Sequence, residues 1–519
     1  MLVFKMAPLV SFMVLLIRDL ASLSSPYWST ILRSILALVL ARTIVVWCYN
    51  LWFHPLAKFP GPFLGRASLL FRFIYALRGK FHVAVTDAHR IHGPVVRVAP
   101  NELSFASVES WQAIYGHPLP GHEIAPKGPF YEVFAAGFNS KCIGSERDSK
   151  KYSAMRRMLS PAFSQRGLLE QEEIITNVVD KFVKILGEKS GPGSMGINVT
   201  KWFEMNSFDI LGEMAFGESF HSLETGKLHF WAAIVLDHLY FITIIDNLRR
   251  IGWLAKIFAL LIPAQLLTKN RNSTFSRQQV NKRLAIEGSR SDFVSLLVDK
   301  VRAGEVGKEE MTAHVSTIAI AGGETVATTL AAITCFLTQR PDTLLNLTSE
   351  IRSAFRTFDE LNATTIQRLP YLQAVLNEGL RLFPPASGGA PRVSQGFTLH
   401  GYYVPKDTEI NVSPWTITHD EKYFSNPWDF KPERWLDPNT TDVKAASRPF
   451  LLGPRDCLGR NFAMMELNLV LAKIIWLYDL ELVNKEINFL EETRLHVLWW
   501  KPKVFVRFHA RKMGAVLAD

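Results

Sequence analysis

The 519-residue chain has few cysteines, and their spacing excludes two common uses of this residue. Of the four that are present, none has the CxxC or Cys/His spacing of a zinc site. So few cysteines in so long a chain also exclude the disulfide framework of a small secreted protein. Cys48 and Cys335 lie among apolar neighbours and are interpreted as packing residues, and Cys142 has no evident partner. The fourth, Cys457, lies between an Arg-Asp pair and a Leu-Gly pair.

Linkers, repeats and nucleotide-binding motifs are also missing. Without a Gly/Ser-rich linker or an internal repeat, the chain is interpreted as one catalytic unit of about 460 residues, which is large for a single domain. The net charge of +10 is spread along the chain without a dense Lys/Arg tract, which favours anionic lipid or acidic partners over nucleic acid. No Gly-x-Gly-x-x-Gly follows a strand, so we expect no nicotinamide or flavin site in the chain. Electrons must then come from a partner.

Two apolar segments begin the chain. Residues 8–17 are too few to cross a bilayer, which needs roughly 20 apolar residues. Residues 31–53 have that length, and their apolar bulk can offset Arg33 and Arg42, each of which costs about 2.5–3.5 kcal/mol at a helix centre. We therefore predict an anchor region over residues 1–53 with one transmembrane helix near 31–53. A cleaved signal peptide is the alternative.

A proline-rich segment follows this anchor. Pro55, Pro60 and Pro62 lie between the apolar stretch and the remainder of the chain. They cannot continue a helix, and they stiffen the chain as it leaves the membrane. An ordinary loop is the simpler interpretation. The position between an anchor and a globular body favours a hinge over residues 54–62, followed by a catalytic domain over residues 63–519.

The segment around Cys457 carries the strongest chemical signal, and it reads Phe-Leu-Leu-Gly-Pro-Arg-Asp-Cys-Leu-Gly over residues 450–459. A helix is expected to follow, and its N-terminus offers free N–H groups and a partial positive charge that stabilise a thiolate. Gly453 and Gly459 allow the backbone to turn and to approach a flat ligand closely. Arg455 supplies a cation that suits a propionate.

Five positions of this segment form the pattern Phe-x-x-Gly-x-Arg-x-Cys-x-Gly, which arises by chance in roughly one such chain in six thousand. That rarity weighs against a merely structural cysteine before an amphipathic helix. The segment resembles the haem-binding loop of the cytochrome P-450 family at every fixed position. The resemblance implies haem b with Cys457 as its axial thiolate ligand, and Ala463 in the next helix leaves room for the macrocycle. The residues expected around the cofactor are Phe450, Gly453, Arg455, Gly459 and Ala463.

A helical stretch over residues 309–339 contains Ala-Gly-Gly-Glu-Thr at its centre. Gly322 and Gly323 each cost about 1 kcal/mol in a helix, so they need a reason, which could be a kink beside a small ligand or close helix packing. Glu324 next to Thr325 makes a proton relay possible. With the cysteine loop, the stretch resembles the family's oxygen-activation motif. The resemblance implies a catalytic acid–alcohol role for Glu324 and Thr325.

A second family motif is Glu378 and Arg381, whose spacing puts the carboxylate and the guanidinium on one helix face. The same Glu-x-x-Arg occurs at residues 287–290 and 491–494, but only the first copy lies in an apolar helix that ends at Pro-Pro. The resemblance implies that Arg434 completes a buried structural triad with this pair.

The resemblance also implies two more propionate contacts, Arg156 and Arg392. Tyr152 stands beside Arg156 at a place where the family usually has another residue. Without the resemblance, each arginine could equally be an exposed surface charge.

The resemblance covers the chain from about residue 54 and implies a mostly α fold, in which a helix-rich part and a smaller β-rich part surround one haem. The local pattern agrees, since apolar-periodic stretches dominate residues 160–380 and strand-like alternation covers residues 398–412. The pocket is expected below residues 230–267, with a floor at 386–390 and 496–498. The aromatic residues expected at its front are Phe130, Tyr131, Phe134 and Phe138.

These features predict a monooxygenase that uses O2 and electrons from a membrane-bound NADPH–cytochrome reductase to hydroxylate or epoxidise a lipophilic small molecule. A haem-thiolate isomerase or dehydratase that does not use O2 is one alternative, and a non-enzymatic haem sensor is another. The chain looks most like microsomal members from filamentous fungi, which commonly tailor secondary metabolites.

The predicted location is the endoplasmic reticulum, with a single membrane pass, lipid contact and the catalytic domain on the cytosolic face. N-linked glycosylation occurs only on the lumenal side, so the sequons are expected to be unused. They begin at Asn198, Asn272, Asn346, Asn362, Asn411 and Asn439.

Overall fold

Helices form most of the chain in the computed structural model, which describes residues 26–117, 124–252, 269–286 and 292–511. The prediction of a mostly α protein with a smaller β-rich part is confirmed. The apolar segment 8–17 lies outside the described residues. The α-helices are α1 (Pro26–Cys48), α2 (Phe63–Ala67), α3 (Leu70–Leu77), α4 (Phe81–His92), α5 (Val108–Tyr115), α6 (Ser149–Leu159), α7 (Gln165–Leu169), α8 (Glu172–Lys189), α9 (Val199–Leu211), α10 (Ser222–Thr225), α11 (Phe230–Arg249), α12 (Lys269–Ala285), α13 (Ser295–Arg302), α14 (Lys308–Thr338), α15 (Pro341–Ala354), α16 (Ala363–Ile366), α17 (Pro370–Leu382), α18 (Pro414–Thr418), α19 (Glu433–Leu436), α20 (Arg460–Leu477) and α21 (Phe489–Glu492).

The strands form small sheets with the orders β1-β2-β7-β4, β3-β11-β8, β5-β6 and β10-β9. Strands β2 and β7 pair in parallel, and the other pairs are antiparallel. Strand β6 follows β5 through His400 and Gly401, both at positive φ as a tight two-residue hairpin turn requires. The strands are β1 (Val95–Ala99), β2 (Glu102–Phe105), β3 (Ile197–Asn198), β4 (Arg392–Val393), β5 (Phe397–Leu399), β6 (Tyr402–Val404), β7 (Glu409–Val412), β8 (Tyr478–Leu482), β9 (Arg494–His496), β10 (Leu498–Trp500) and β11 (Phe505–Ala510).

Helix α14 is the central helix of the protein, and its extent agrees with the predicted stretch 309–339. Glu309 and Glu310 lie in its first turn, where carboxylates interact favourably with the positive end of the helix dipole. Its end precedes Pro341, because a proline disfavours helical conformation in the residue before it. Most of the helix is buried, since α9, α12 and α20 pack around it. The core therefore forms around the helix that carries the Gly-Gly-Glu-Thr sequence.

Within the described residues, two helical stretches are long and apolar enough to cross a membrane, namely residues Trp28–Phe53 and Lys308–Thr338. The second is the buried core helix α14, which explains its apolar composition without a membrane. The first comprises α1, which is mostly exposed, and a π-helical end over Tyr49–Phe53, in which Asn50 and Leu51 are buried. Its bounds agree with the transmembrane helix predicted near residues 31–53.

The proline-rich segment 54–62 packs against the sheet that contains β1. Leu56 and Phe59 are fully buried, and the Phe59 ring stacks on Tyr402 with a centroid distance of 4.9 Å. The Arg97 backbone N–H donates a hydrogen bond to the Pro60 carbonyl (2.8 Å). These contacts hold the segment against the sheet in this structure, and the hinge over residues 54–62 stays a prediction.

The predicted structural triad is present beside the core. Glu378 accepts two hydrogen bonds from Arg381, each of 2.8 Å, and one of 3.0 Å from Arg434 Nε. Arg434 also forms an ion pair with Asp442, and the Trp435 indole N–H donates to Glu378 (2.9 Å). All the charges of this buried cluster are therefore paired and hydrogen-bonded, which offsets their desolvation.

Candidate active site

A cavity of about 370 Å³ lies between helix α14 and the loop that precedes α20. The Cys457 side chain faces this cavity. Its sulfur is therefore accessible from the cavity, although the residue lies inside the folded protein. The residues of the cysteine motif that line the cavity are Phe450, Arg455, Cys457, Gly459 and Ala463.

The loop before α20 is closed by a hydrogen bond from the Cys457 backbone N–H to the Phe450 carbonyl (2.9 Å). Gly453 has φ +70° and does not line the cavity. A Cβ at this position would lie 2.2 Å from the Tyr115 carbonyl oxygen, so the turn requires glycine. Gly459 has open space beside its Cα, on the side where a flat ligand would pass. The two glycines therefore have different roles, one in the turn and one at the cavity wall.

Opposing effects act on the pKa of the Cys457 thiol. Burial raises its pKa, whereas the Gly459 N–H, Arg156 and Arg460 lower it. Burial outweighs the others, so the start of helix α20 does not by itself produce a thiolate. Coordination to a metal cation deprotonates a thiol outright.

Three cations converge on one edge of the cavity. Arg392 and Arg455 were expected there, and Lys127 joins them. The Lys127 ammonium donates to the carbonyls of Ile143 (2.7 Å) and Gly144 (2.8 Å). Burial, followed by the charges of Arg392 and Arg455, lowers the pKa of Lys127 to about 7. In the described part of the chain, no carboxylate forms an ion pair with any of the three, so this edge suits a ligand with carboxylates of its own.

Arg156 lies behind the cavity wall and does not line it. Its guanidinium donates to the Asp456 carbonyl (2.8 Å) and to the Tyr152 hydroxyl (3.2 Å), and it forms an ion pair with the Asp456 carboxylate. Tyr152 itself lines the cavity, and the Arg455 guanidinium lies 4.5 Å from the centre of its ring. A direct cofactor contact of Arg156 stays a prediction, whereas its contact with the residue before Cys457 is visible.

Helix α14 forms the opposite wall of the cavity, and its two glycines permit close packing with α9. A Cβ on Gly323 would lie 2.9 Å from the Phe208 ring, and one on Gly322 would lie 3.1 Å from Leu211. The structure therefore supports close helix packing as an explanation for Gly-Gly, and Gly322 also lines the cavity. Thr325 lines the cavity, and its hydroxyl donates to the Ala321 carbonyl (2.8 Å).

Glu324 points away from the cavity into a buried polar cluster. Its carboxylate forms an ion pair with Lys501 and accepts a hydrogen bond from Thr328 (3.3 Å). Lys501 also pairs with Glu204 (3.1 Å). Burial raises the pKa of Glu324 to about 7 against the opposing effect of Lys501. Glu324 and Thr325 are thus adjacent in the chain but face different sides of helix α14.

The expected pocket residues are only partly on the cavity wall. Tyr131 and Phe134 line it, as does Ala386 from the predicted floor. Phe130 and Phe138 do not, and neither do residues 496–498. Of the predicted roof 230–267, residues 253–267 lie outside the described residues, as do the side chains of residues 234–238. Within helix α11, Trp231 is buried among the rings of Phe208, Phe216, Phe220 and Phe275.

The sequence interpretation missed several wall residues. Thr317 precedes Ala321 and Thr325 by one and two helical turns, so helical periodicity alone could have identified it. Lys127 had no such local signal, because an isolated β-bridge to Arg392 brings it to the cavity. The other missed residues that line the cavity include Ile143, Phe163, Leu211, Phe293 and Ile318.

Comparison with known proteins identifies this arrangement. The model of the family Cytochrome P450 matches residues 55–508. The chain belongs to the cytochrome P450 family. A cytochrome P450 monooxygenase of Botryotinia fuckeliana, BOT4, is 75% identical over 477 residues, which are 92% of this chain and 91% of that protein. A cytochrome P450 monooxygenase of Penicillium roqueforti, ORF9, is 51% identical over 462 residues, 89% of this chain and 91% of that protein.

A third similar cytochrome P450 is named trichothecene C-15 hydroxylase and comes from Fusarium sporotrichioides. It is 36% identical over 479 residues, which are 90% of this chain and 96% of that protein. This cytochrome P450 is accordingly an oxidoreductase of the monooxygenase class, with relatives in fungi. None of these three relatives is named an isomerase, a dehydratase or a sensor, so the alternatives receive no support. The family implies a haem-thiolate centre, and the N-terminal apolar helix is a candidate membrane anchor.

Proposed function

We propose that this cytochrome P450 binds haem b in the cavity, with the Cys457 thiolate as the axial iron ligand. The observation that carries the proposal is the cavity itself, which has a cysteine sulfur on one wall and, at its edge, three cations that have no ion-pair partner among the described residues. A thiolate-bound haem supplies reductive activation of O2 and transfer of one oxygen atom to an organic substrate.

The residues of the chain would hold the cofactor from three sides. Arg392, Arg455 and Lys127 would neutralise its propionates, and Gly459 and Ala463 leave space for the ring. Arg156 would act through Asp456, the neighbour of the iron ligand. Phe450 and Gly453 complete the set, since they close and turn the loop that presents the sulfur.

Thr325 and Glu324 are proposed as the groups that handle protons. The Thr325 hydroxyl is at the cavity wall, where it would hold a proton and could donate it to water in the cavity. Glu324 would supply protons to it from the buried Lys501 cluster. Because the carboxylate faces away from the cavity, this transfer needs a rotation of the Glu324 side chain or an intervening water.

The substrate is proposed to be a lipophilic small molecule that is hydroxylated or epoxidised. Apolar side chains dominate the cavity, among them Phe134, Leu211 and Ile318. One relative is named for hydroxylation of a trichothecene at C-15. These observations support a compact hydrocarbon-rich substrate of fungal secondary metabolism for this chain.

The electron donor is proposed to be a membrane-bound NADPH–cytochrome reductase. Lys150, Lys151 and Arg460 are exposed near the cysteine loop and suit an acidic partner surface. Residues 1–53 would anchor the chain in the endoplasmic reticulum, with the catalytic domain, residues 63–519, in the cytosol. The six sequons would then stay unmodified.

The test is the difference spectrum of the dithionite-reduced, CO-bound protein, measured beside Cys457→Ala. We expect a red-shifted, thiolate-type Soret band that is lost in Cys457→Ala and retained in Cys48→Ala, the matched control. An imidazole-type band, or a band that survives in Cys457→Ala, would contradict the proposed ligand. Product formation with reductase, NADPH and O2, but not without O2, separates a monooxygenase from an isomerase.

A further inference from the structure

The end of the anchor helix lies against the first sheet, and a buried arginine joins the two. The Arg97 side chain on β1 is fully buried, and its Nη1 donates to the Asn50 carbonyl (2.7 Å). Its Nε and Nη2 donate to the Pro100 carbonyl at 3.0 and 2.8 Å. Within the described residues, no carboxylate pairs with this guanidinium. Arg97 is therefore held by carbonyl groups alone.

The sequence explains why the Asn50 carbonyl needs this donor. In a π-helical end, the carbonyl of residue i accepts from the N–H of residue i+5, and His54 N–H indeed donates to the Tyr49 carbonyl (2.8 Å). The corresponding partner of Asn50 is Pro55, which has no N–H. Arg97 satisfies this carbonyl and places a positive charge at the negative end of the helix dipole.

Further contacts hold the same joint. The Asn50 side-chain amide donates to the Ala67 carbonyl (2.8 Å), and the Trp47 ring meets Phe63 edge-on at 5.9 Å. A Cβ on Gly61 would lie 2.4 Å from the Arg97 carbonyl oxygen, so the proline-rich segment runs directly against β1. Each of these contacts would have to break before the helix could swing relative to the sheet.

Exposed apolar side chains surround this joint. Phe53 is 76% exposed and Phe63 is 59% exposed, which is unusual for aromatic side chains in contact with water. They are continuous with the apolar span Trp28–Phe53, and aromatic residues are enriched where a membrane meets water. A lipid headgroup region is therefore the partner that fits this surface. The exposed apolar residues of the surface are Trp52, Phe53, Phe63, Leu64 and Leu70.

We infer that Arg97 and Asn50 form a rigid joint between the membrane anchor and the catalytic domain, which seats these apolar residues in the bilayer interface at one fixed tilt. This inference rests on the membrane location given under Proposed function. The proline-rich segment is then a fixed connector, and β1 sets the orientation of the domain relative to the anchor.

The test uses the full-length haem protein in lipid nanodiscs, with spin labels on genetically encoded amino acids at positions 38 and 345. Leu38 on α1 and Leu345 on α15 are both exposed. Pulsed electron spin resonance should give a narrow distance distribution for the unmodified joint. In Arg97→Met, and in the double variant Trp47→Ala, Asn50→Ala, the distribution should become at least about twofold broader. The control Arg166→Met, at an exposed position, should leave it unchanged.

The double variant guards against misfolding, because its substitutions lie in the anchor helix and its end, outside the catalytic domain. A thiolate-type CO band establishes that each labelled protein has kept its haem site. A broad distribution in the unmodified protein, or a narrow one in both joint variants, would overturn the rigid joint. A label at position 64 should be accessible to oxygen dissolved in lipid, whereas the label at 345 should be accessible to water-soluble nickel. The reverse result would contradict the proposal that this surface contacts lipid.

Failure of the joint and failure of the proposed location give different results. If the chain does not float with phospholipid vesicles, the membrane location is wrong and the inference falls with it. If the chain floats and shows the CO band but the distance distribution is broad, only the rigid joint is wrong.

Discussion

The ammonium group of Lys501 forms an ion pair with the carboxylate of Glu324, and the two side chains are only 2% and 0% exposed. The pair brings the chain just after strand β10 against the middle of helix α14. It holds the carboxylate of the Glu-Thr sequence on the far side of the helix from the cavity. The position of Glu324 is thus determined by a residue 177 positions further along the chain.

Lys501→Met should raise the pKa of Glu324 above its present value of about 7, because Lys501 is the cation that lowers it. A carboxyl group that passes on protons is active while protonated, so the alkaline limb of the pH–rate profile should move to higher pH. Haem content should stay normal. The measurement is product formation against pH, with the exposed Lys503→Met as control. An unchanged profile would remove Glu324 from proton delivery.

Thr325→Ala removes the hydroxyl at the cavity wall while leaving the helix intact. We expect NADPH consumption to continue, with hydrogen peroxide released in place of oxygenated product. The ratio of oxygenated product to hydrogen peroxide should fall by about tenfold or more. Thr334→Ala, a buried position on the same helix outside the cavity, is the matched control. Equal product yield per NADPH in the two variants would show that Thr325 has no part in the reaction.

Lys127 should make haem affinity depend on pH. Its pKa of about 7 should rise when propionates bind, so binding takes up a proton and weakens as pH increases above about 7. Haem transfer to apomyoglobin should be about tenfold faster in Lys127→Met, which corresponds to about 1.4 kcal/mol. Lys127→Arg keeps the charge at every pH and should lose the pH dependence. If it keeps the same dependence, another group is responsible.

Arg434→Met should lower the free energy of unfolding of both the haem-free and the haem-bound protein. It leaves Asp442 without its ion pair and Glu378 with one arginine fewer, and breaking a buried pair costs about 3–5 kcal/mol. Chemical denaturation followed by circular dichroism measures the loss. The exposed Lys431→Met, three residues earlier, should change the free energy of unfolding by less than about 0.5 kcal/mol. A loss of that small size in Arg434→Met would contradict a structural role for the triad.

Glu466 on helix α20 should make stability fall as pH rises. Burial raises its pKa to about 8, and within the described residues its hydrogen-bond partner is Ser207, at 2.6 Å. The unfolded carboxyl has lost its proton above about pH 4.5, whereas the folded one keeps it until about pH 8. Between these values the free energy of unfolding should fall by up to about 1.4 kcal/mol per pH unit.

Glu466→Gln tests this dependence, because an amide does not titrate. Between pH 5 and pH 8, the melting temperature of the variant should change less with pH than that of the unmodified protein. At pH 8 the variant should be the more stable of the two. The exposed Glu170→Gln serves as control. Parallel pH dependences in the three proteins would mean that Glu466 is already ionised in the folded state.

Several features of the fold could be predicted because their signals are local. The run of apolar residues before Pro55 defines the anchor helix, and the acidic start and proline stop define helix α14. The hairpin at His400 and Gly401 follows from alternation and a glycine. Gly453 could be assigned to a turn for the same reason. Such features depend on backbone conformation within a few residues, which side chains encode directly.

The sequence by itself determined the family, the motif around Cys457 and the pairing of Glu378 with Arg381, since each depends on residues that are a few positions apart. Only the tertiary structure decided which charged groups face the cavity. Lys127 reaches it through a bridge to Arg392, while Asp456 holds Arg156 and Lys501 holds Glu324 away from the wall. The reason is physical: a long charged side chain in the interior turns toward whichever partner offsets its desolvation, and those partners come from distant parts of the chain.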